Sequence, residues 1–308
     1  MSTKSKCLYA FKDLECEVGI DEAGRGPVLG PMVYGCCFWP LSVRDEMKKT
    51  YGFTDSKQLS EADRDRLFAD INSINHSQLG YFVSILHSEY LSNTMLAEFD
   101  NGGKNLNKIS HDTAIELINR VKDAGIIVRK VILDTVGQPE KYVGILRAAL
   151  KDPSIEIVVE SKADFNHPVV SAASICAKVT RDQVLRDWQY PEKKQIDSEF
   201  GCGYPGDPKA KQWLKRNFDP VFGFPTLVRF SWKTCSTILE DNKANVEWFD
   251  PVVQPQNLGA SDGKKQKTLG FGKTVAQKDA DDLQKVSQKE RENNRGLKNM
   301  KVKRNFQI

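Results

Sequence analysis

Acidic side chains stand at the ends of three predicted strands of the chain. Asp21 and Glu22 close the first strand, Asp134 closes a Val-Ile-Leu-Asp run, and Asp164 follows a third strand just before a helix. Ligand sites of α/β sheets collect at strand ends, so these carboxylates are expected to converge. Converging carboxylates repel one another unless divalent cations neutralise them, and ligand sets made only of oxygen favour Mg²⁺ or Mn²⁺ over zinc. The pattern predicts metal-assisted chemistry on phosphate.

Each carboxylate taken alone also has a simpler interpretation. Asp21 and Glu22 could be turn residues, and Asp164 could be a helix cap. Adjacent residues of a regular strand point to opposite faces, so Asp21 and Glu22 share one site only where the strand ends or bulges. The glycines that follow them permit such a bend, and the set as a whole favours the metal site.

A glycine-rich loop follows the first pair of carboxylates. Gly24-Arg25-Gly26 places a guanidinium between two residues without side chains, so a ligand can approach the backbone N–H and C=O groups closely. A ribose 2′-hydroxyl both donates and accepts hydrogen bonds, and such a loop could distinguish RNA from DNA. Lys57, Lys178 and Arg181 supply cations suited to phosphates, although each alone is typical of a solvated surface charge.

Two further features do not support a function of their own. Residues 201–206 match the GxGxxG pattern, but no strand precedes them and Pro205 interrupts them, so a dinucleotide site is not predicted. His167 lies near the carboxylates without a nucleophilic Ser or Cys motif beside it, and a helix-start role is the better interpretation.

The elements that must position these residues alternate along the chain. β-Branched and aromatic runs predict strands at 14–20, 28–39, 78–86, 128–133 and 155–159. Apolar residues at helical spacing, bounded by capping residues, predict helices at 61–71, 107–124, 139–150, 168–188, 207–217 and 231–241. This alternation predicts an α/β core that contains parallel strand pairs.

The composition is that of a globular protein. The chain has 308 residues, of which 40% are hydrophobic and 28% charged, enough for one large domain or two ordinary ones. It has no run of eighteen apolar residues, and residues 1–6 lack the apolar stretch of a secretory signal, so neither a membrane span nor secretion is expected. The seven cysteines are odd in number and never spaced as CxxC, which predicts reduced, intracellular thiols that mostly serve packing.

Charge is distributed unevenly along the chain. Residues 251–308 carry 13 Lys and Arg against 6 Asp and Glu, a net +7, which leaves 32 against 35, a net −3, in residues 1–250. The Gln-, Lys-, Asn- and Gly-rich composition after residue 250 predicts a flexible tail that contacts nucleic acid or a partner protein. We expect an α/β domain over 14–190, a helical subdomain over 191–250 and a basic tail over 251–308.

Several segments of the chain resemble the type 2 ribonuclease H family. They are GIDEAGRGPVLGP at 19–31, DSKQL at 55–59, SHDTA at 110–114, DTVG at 134–137, KAD at 162–164 and VVSAASICAK at 169–178. Gly203-Tyr204-Pro205 and residues 229–232 are similar to the catalytic (A) subunits of its eukaryotic members in particular. The resemblance covers residues 14–250 and leaves the tail unmatched.

The resemblance implies a ribonuclease H-like fold, in which helices flank a central mixed sheet, with a helical C-terminal subdomain added. It also implies that Asp21, Glu22, Asp134 and Asp164 hold two Mg²⁺ ions, for which Mn²⁺ could substitute. A metal pair of this kind activates a water and stabilises the leaving 3′-oxygen, so the products would be a 3′-hydroxyl and a 5′-phosphate.

The substrates that the resemblance implies are RNA/DNA hybrids and duplex DNA that contains a single ribonucleotide, cut on the 5′ side of the ribose during DNA replication and repair. The Gly24-Arg25-Gly26 loop would contact the ribose 2′-hydroxyl at the cleaved junction. Tyr204 would pack on the following deoxyribose, and Lys57 and Lys178 would contact phosphates.

Partners and location follow from the same resemblance. The eukaryotic members work as heterotrimers with two non-catalytic subunits, so residues 232–250 and part of the tail are expected to contact those subunits. The substrate class implies residence in the nucleus, with the basic clusters at 264–267 and 301–304 as weak additional indications. No membrane partner is expected.

The chain departs from the family pattern beside Asp164. Phe165-Asn166-His167 stands where an apolar-aromatic pair is expected before Pro168, which predicts a change in packing or substrate fit there.

Two rival functions would use some of the same residues. A general Mg²⁺-dependent nuclease would use the same carboxylates without ribose selectivity, and the glycine-rich loop with Tyr204 argues against it. A catalytically idle nucleic-acid-binding subunit has no use for four mutually repelling carboxylates.

Overall fold

A five-stranded mixed sheet forms the centre of the fold. Its strands are β1 (Glu15–Ala23), β2 (Met32–Pro40), β3 (Gly80–Leu86), β4 (Ile127–Asp134) and β5 (Glu156–Glu160), in the spatial order β3-β2-β1-β4-β5. The β1–β2 and β2–β3 pairs are antiparallel, whereas β1–β4 and β4–β5 are parallel. The predicted α/β architecture with a mixed sheet and parallel pairs is confirmed.

This computed structural model describes residues 8, 10–51, 59–73, 78–97, 103–192, 196–197 and 199–242. The chain divides into two units, Met1–Glu247 and Trp248–Ile308, and every described residue belongs to the first. Lys57, Cys7 and the predicted tail therefore lie outside the described residues. The predicted boundaries at residues 190 and 250 stay predictions.

Helices cover both faces of the sheet. They are α1 (Arg44–Tyr51), α2 (Glu61–Ser73), α3 (Ser88–Leu96), α4 (Leu106–Asp123), α5 (Pro139–Leu150), α6 (Ala163–Asn166), α7 (Pro168–Arg186), α8 (Pro208–Arg216) and α9 (Lys233–Asn242). The cluster on one face combines the strands with α4 and α5, and the cluster on the other combines them with α2 and α7. Successive residues of a strand belong to opposite clusters, because the side chains of a β-strand alternate between the two faces of the sheet.

Helix α7 packs directly onto the middle of the sheet. A Cβ atom at Gly19 would meet the backbone of Val169, and one at Gly35 would meet the backbone of Ala173. Since neither glycine has a side chain, the buried α7 backbone can lie against β1 and β2. The close approach holds Ser174, on the same helix, beside the end of β1.

The segment after residue 196 packs around the loop that joins β1 to β2. Val28 and Leu29 share a hydrophobic cluster with Trp213, Leu227 and Ile238. Val28 and Leu29 donate backbone hydrogen bonds to the Gly203 carbonyl at 2.8 and 3.4 Å. These bonds explain why β2 begins at Met32 rather than at residue 28 as predicted.

The described helices and cysteines bear on two predictions made from composition. None of the described helices is both long enough and apolar enough to cross a bilayer. Cys16, Cys36, Cys37, Cys176 and Cys235 are buried free thiols, which agrees with a packing role, whereas the free thiol of Cys202 is exposed.

Candidate active site

The carboxylates meet where β1 and β4 separate. The parallel pairing of these strands ends at Ile20 and Leu133, so Asp21 and Asp134 are the next residues on neighbouring strands. β1 nevertheless continues beyond the predicted end at residue 20, because it stays paired with β2 as far as Ala23. Asp21 and Glu22 thus lie inside a strand that has lost one neighbour, rather than in a turn.

Asp21 is buried on the α7 side of the sheet. Its carboxylate hydrogen-bonds with the Ser174 side chain and accepts from the Glu22 backbone N–H at 2.8 Å. Burial, together with the charges of Asp134 and Asp164, raises the pKa of Asp21 to about 7 against the effect of these hydrogen bonds. An electrostatic link therefore joins the three aspartates.

Glu22 faces the other side of β1. Burial, with contributions from Asp21 and Asp134, raises the pKa of Glu22 to about 8, while the Arg25 guanidinium opposes the shift. The phenol of Tyr34, on β2, lies on this side, and burial together with the charge of Glu22 raises its pKa well above the usual value. The charge of Glu22 therefore interacts with those of Asp21 and Asp134, although its side chain lies on the opposite face of β1 from Asp21.

Asp134 and Asp164 are connected by the turn between β5 and α6. Asp134 Oδ1 accepts from the backbone N–H groups of Thr135 at 3.0 Å and Lys162 at 2.8 Å. Lys162 has a left-handed backbone with φ 61°, and α6 starts at the next residue. Asp164 lies within this short helix and is 1% exposed, so it is not the N-cap residue.

The donor set fits a hard divalent cation, because buried carboxylate oxygens that repel one another are neutralised by such an ion. The raised pKa values of Asp21 and Glu22 are the expected consequence of burial together with this repulsion. The described residues contain no group of three or more His, Cys, Asp or Glu side chains already arranged to hold a metal ion.

The glycine-rich loop forms one wall of a cleft of about 480 Å³ beside Glu22. We call it the loop cleft, and its lining residues are Glu22, Ala23, Gly24, Arg25, Gly26, Arg64, Lys178, Arg181, Asp182 and Tyr204. Tyr204 is 50% exposed, and a Cβ atom at Gly26 would lie 2.9 Å from its ring. The structure thus brings together the loop, Tyr204 and Lys178, which are more than 20 residues apart in sequence.

Each residue of the loop has a backbone carbonyl that accepts from the C-terminal segment. Arg229 is fully buried, and its guanidinium donates to the carbonyls of Gly24 at 2.6 Å and Arg25 at 3.1 Å. The Trp232 indole donates to the Gly26 carbonyl at 3.1 Å, and the Arg229 guanidinium lies over its ring. A ligand hydroxyl would share these carbonyls with donors of the protein itself.

Helix α4 holds the Arg25 side chain. Its guanidinium donates to Ser110 Oγ and Asn107 Oδ1, which fixes it between α4 and Glu22. Arg181 supports the same loop from α7, because its Nε donates to the Pro31 carbonyl at 3.2 Å and its side chain packs against Gly24. Arg181 was predicted only as a phosphate cation.

Sequence reasoning missed several of these residues. The sequence places Arg229 and Trp232 in a family-like motif but predicts no role for either. It also predicts no role for Asn107 or Ser110. The signal available was indirect: backbone carbonyls of a tight loop need donors. No spacing rule connects that loop with an arginine about 200 residues later in the chain.

His167 occupies the N-cap position of α7 without a side-chain capping bond. Its Nε2 instead lies 2.9 Å from Glu160 Oε1, at the end of β5, and the Asn166 amide donates to the same oxygen at 2.9 Å. Two residues that depart from the family pattern, Asn166 and His167, therefore contact Glu160 at the end of β5. The third, Phe165, is 62% exposed.

Comparison with known proteins agrees with this fold. The family model "Ribonuclease HII" matches residues 18–235. The chain therefore belongs to the ribonuclease HII family and is a ribonuclease H enzyme.

Individual relatives support the same assignment. The chain is 48% identical to the A subunit of ribonuclease H2 from Bos taurus, over 76% of this chain and 77% of the relative. It is also 48% identical to the corresponding Homo sapiens protein, over 78% of each. The crystal structure of ribonuclease H2 from Pyrococcus horikoshii OT3 matches 75% of this chain and 100% of its own, with 32% identity and a TM-score of 0.60.

Proposed function

We propose that the chain is the catalytic subunit of an enzyme that hydrolyses RNA in RNA/DNA hybrids and cuts on the 5′ side of single ribonucleotides in duplex DNA. The observation that carries this proposal is the continuity of the site. The carboxylates at the ends of β1 and β4 adjoin, through Glu22, a cleft lined by the glycine-rich loop and Tyr204. Groups for phosphodiester chemistry and groups that could inspect a sugar therefore border one another.

Asp21, Glu22, Asp134 and Asp164 would hold two Mg²⁺ ions, or Mn²⁺ in their place. Such a pair, when bound, activates the attacking water and stabilises the leaving 3′-oxygen. The chain contributes an oxygen-rich, largely buried ligand set, and hydrogen bonds already orient two of its members. Ser174 and the Glu22 N–H orient Asp21, and the N–H groups of Thr135 and Lys162 orient Asp134.

The glycine-rich loop supplies the proposed selectivity for ribose. Gly24 has φ 73° and Gly26 lies against Tyr204, so the sugar meets backbone on one side and an aromatic face on the other. A 2′-hydroxyl suits the backbone groups, and a deoxyribose suits the ring. Arg229 and Trp232 hold the loop carbonyls in place, so the loop need not become ordered when substrate binds.

The same proposal includes partner proteins. The names of the Bos taurus and Homo sapiens relatives mark each of these two proteins as one subunit of a ribonuclease H2. We propose that this chain likewise works in the nucleus with two non-catalytic subunits that contact residues 232–250 and part of the tail. Of this region, the structure describes α9 and the residue before it.

The test is cleavage of duplex DNA that carries one ribonucleotide, with Mg²⁺, in the presence and absence of the two non-catalytic subunits. Wild-type protein should cut on the 5′ side of the ribose and leave a 3′-hydroxyl. Asp134→Ala should abolish cleavage, and Tyr204→Ala should reduce the preference for the ribose–deoxyribose junction. Tyr90→Ala is the matched control, because Tyr90 is equally exposed, at 49%, but lines another cleft.

Two outcomes of this assay would overturn the proposal. Equal cutting of an all-DNA duplex would leave only a general Mg²⁺-dependent nuclease. Absence of cutting even with the non-catalytic subunits would indicate an idle nucleic-acid-binding protein.

A further inference from the structure

The lining of the loop cleft contains more cations than carboxylates. Arg25, Arg64, Lys178 and Arg181 line the cleft, against the two carboxylates of Glu22 and Asp182. Nucleic-acid backbones are bound chiefly through phosphates by Arg and Lys. A cation can bind a phosphate only if its hydrogen-bond donors are not already used within the protein.

Two of the arginines are committed to the protein. Arg25 donates to Asn107 and Ser110, so its fork faces α4. Arg181 donates through Nε to the Pro31 carbonyl and through Nη2 to the Leu29 carbonyl, so it serves the β1–β2 loop. Neither guanidinium can turn to a ligand without releasing backbone carbonyls or α4 side chains.

Arg64, on α2, is only partly used. Its Nη1 donates to the Leu59 carbonyl at 2.8 Å, whereas its Nε is buried and has no hydrogen-bond partner among the described residues. Its Nη2 lies 3.8 Å from Asp182 Oδ2, which is beyond hydrogen-bond range. The Nε–Nη2 edge of the guanidinium, one of its two bidentate faces, thus lacks a hydrogen-bonded acceptor.

Asp182 does not neutralise both of the arginines beside it. It is shared between Arg64 at 3.8 Å and Arg181 at 4.0 Å, so one carboxylate stands opposite two guanidinium groups. Glu61, which also acts on Asp182, is itself engaged by Arg186 at 3.2 Å. Asp65 also acts on Asp182, but among the described ion pairs Asp182 is the carboxylate that lies within 4 Å of Arg64 and Arg181.

We propose that Arg64 binds a backbone phosphate of the substrate strand through its guanidinium, whose Nη2 lacks a hydrogen-bonded acceptor among the described residues, next to the nucleotide that the glycine-rich loop inspects. The inference rests on the proposed function, because it takes a nucleic-acid strand to lie in the loop cleft. A phosphodiester supplies an acceptor oxygen for the guanidinium and a further negative charge beside two arginines that share the Asp182 carboxylate. Arg64 would thereby fix the register of the strand relative to Glu22.

The test measures the affinity of the full chain for a duplex with one ribonucleotide. Fluorescence anisotropy reports binding at several salt concentrations, without divalent ions. Arg64→Gln should weaken binding about tenfold and flatten the slope of log K against log[salt] by about 0.9. Arg66→Gln should change neither quantity. It is the matched control, because Arg66 lies on the same helix, is exposed, and pairs only with Asp63 at 3.5 Å among the described contacts.

Two further variants separate phosphate binding from a structural role. Arg64→Lys keeps the charge but loses the fork, so it should keep the slope and weaken binding less than Arg64→Gln. Asp182→Asn should strengthen binding, because it removes the competing carboxylate. If Arg64 acted only by pairing with Asp182, Asp182→Asn would instead weaken binding as Arg64→Gln does, and the inference would be wrong.

The outcomes also distinguish this inference from the proposed function. A wild-type chain that cleaves the ribonucleotide duplex, together with an Arg64→Gln variant that keeps the wild-type slope and affinity, overturns the role of Arg64 alone. A wild-type chain that cleaves no ribonucleotide-containing duplex overturns the proposed function. Thermal unfolding of each variant shows that binding is measured on folded protein.

Discussion

The carboxylate of Asp21 opposes folding of the metal-free protein. It is buried, and two further aspartates act on it, Asp134 from the end of β4 and Asp164 from α6. Burial of a carboxylate among like charges disfavours its ionised form, which is why its pKa rises to about 7. A site that binds cations strongly must hold such charges close together when the cation is away.

Asp21→Asn should therefore stabilise the metal-free protein while it abolishes activity. The stability that the raised pKa contributes is fully present below about pH 4, where Asp21 is protonated in both states, and is lost as the pH rises through about 7. At pH 8 the free energy of unfolding should increase by roughly 2 kcal/mol in Asp21→Asn, measured by urea denaturation with a chelator present.

Asp112→Asn is the control for this substitution. Asp112 accepts from Lys104 at 2.9 Å and Lys108 at 2.5 Å, and these hydrogen bonds lower its pKa against the effect of burial. Its contribution to stability is present above about pH 4 and is lost as the pH falls, so the same substitution should destabilise slightly at pH 8. Equal effects of the two substitutions would contradict electrostatic strain at Asp21.

At the scale of elements, the segment at 229–232 acts as a brace for the loop between β1 and β2. Arg229 also donates to the Gly30 carbonyl at 2.7 Å, so one guanidinium spans both ends of that loop. The loop is thus defined by residues of a different part of the chain. Its geometry depends on contacts about 200 residues away in sequence.

Trp232→Phe tests this brace. The substitution keeps an aromatic ring under Arg229 but removes the N–H that reaches the Gly26 carbonyl. The loop should lose its fixed position beside Tyr204, and kcat/KM for a duplex with one ribonucleotide should fall roughly tenfold. The preference for ribose over deoxyribose should fall with it, which a purely structural change would not cause.

Trp213→Phe is the comparison for this variant. Its indole also donates to a backbone carbonyl, but to that of Asp197 at 2.7 Å and not to one of the glycine-rich loop. It should cost about 1 kcal/mol of stability and leave ribose selectivity intact. Equal losses of selectivity in both variants would show that the brace is not specific to Trp232.

Elements could be predicted from the sequence where their signals are local. The helix at 139–150 and the strand pair around Asp21 and Asp134 follow from periodicity, caps and β-branched runs. The start of β2 was misplaced because distant Gly203 takes the N–H groups of Val28 and Leu29. The carboxylates could be predicted since each lies near the end of a strand with a local sequence signal, whereas Arg229 could not, since its acceptors belong to another region.

At the scale of the whole molecule, charge is divided between the body and the tail. Residues 1–250 carry a net −3 and residues 251–308 a net +7. Four of the body's cations line the loop cleft, while the net positive charge of the chain resides in residues 251–308. We therefore expect recognition of the cleavage point and association with partners to depend on different parts of the chain.

Removal of residues 251–308 should therefore weaken assembly with the two non-catalytic subunits and leave ribose selectivity unchanged. Assembly is measured by sedimentation of the mixed subunits, and selectivity by cleavage of duplexes with and without one ribonucleotide.

A full-length chain with Lys264, Lys265 and Lys267 changed to Gln separates charge from length, because it should weaken assembly only if the basic cluster itself makes the contact. Unchanged assembly of the truncated chain would reject the tail's role in it. A flatter salt dependence of substrate binding in that case would instead assign the tail to nucleic acid.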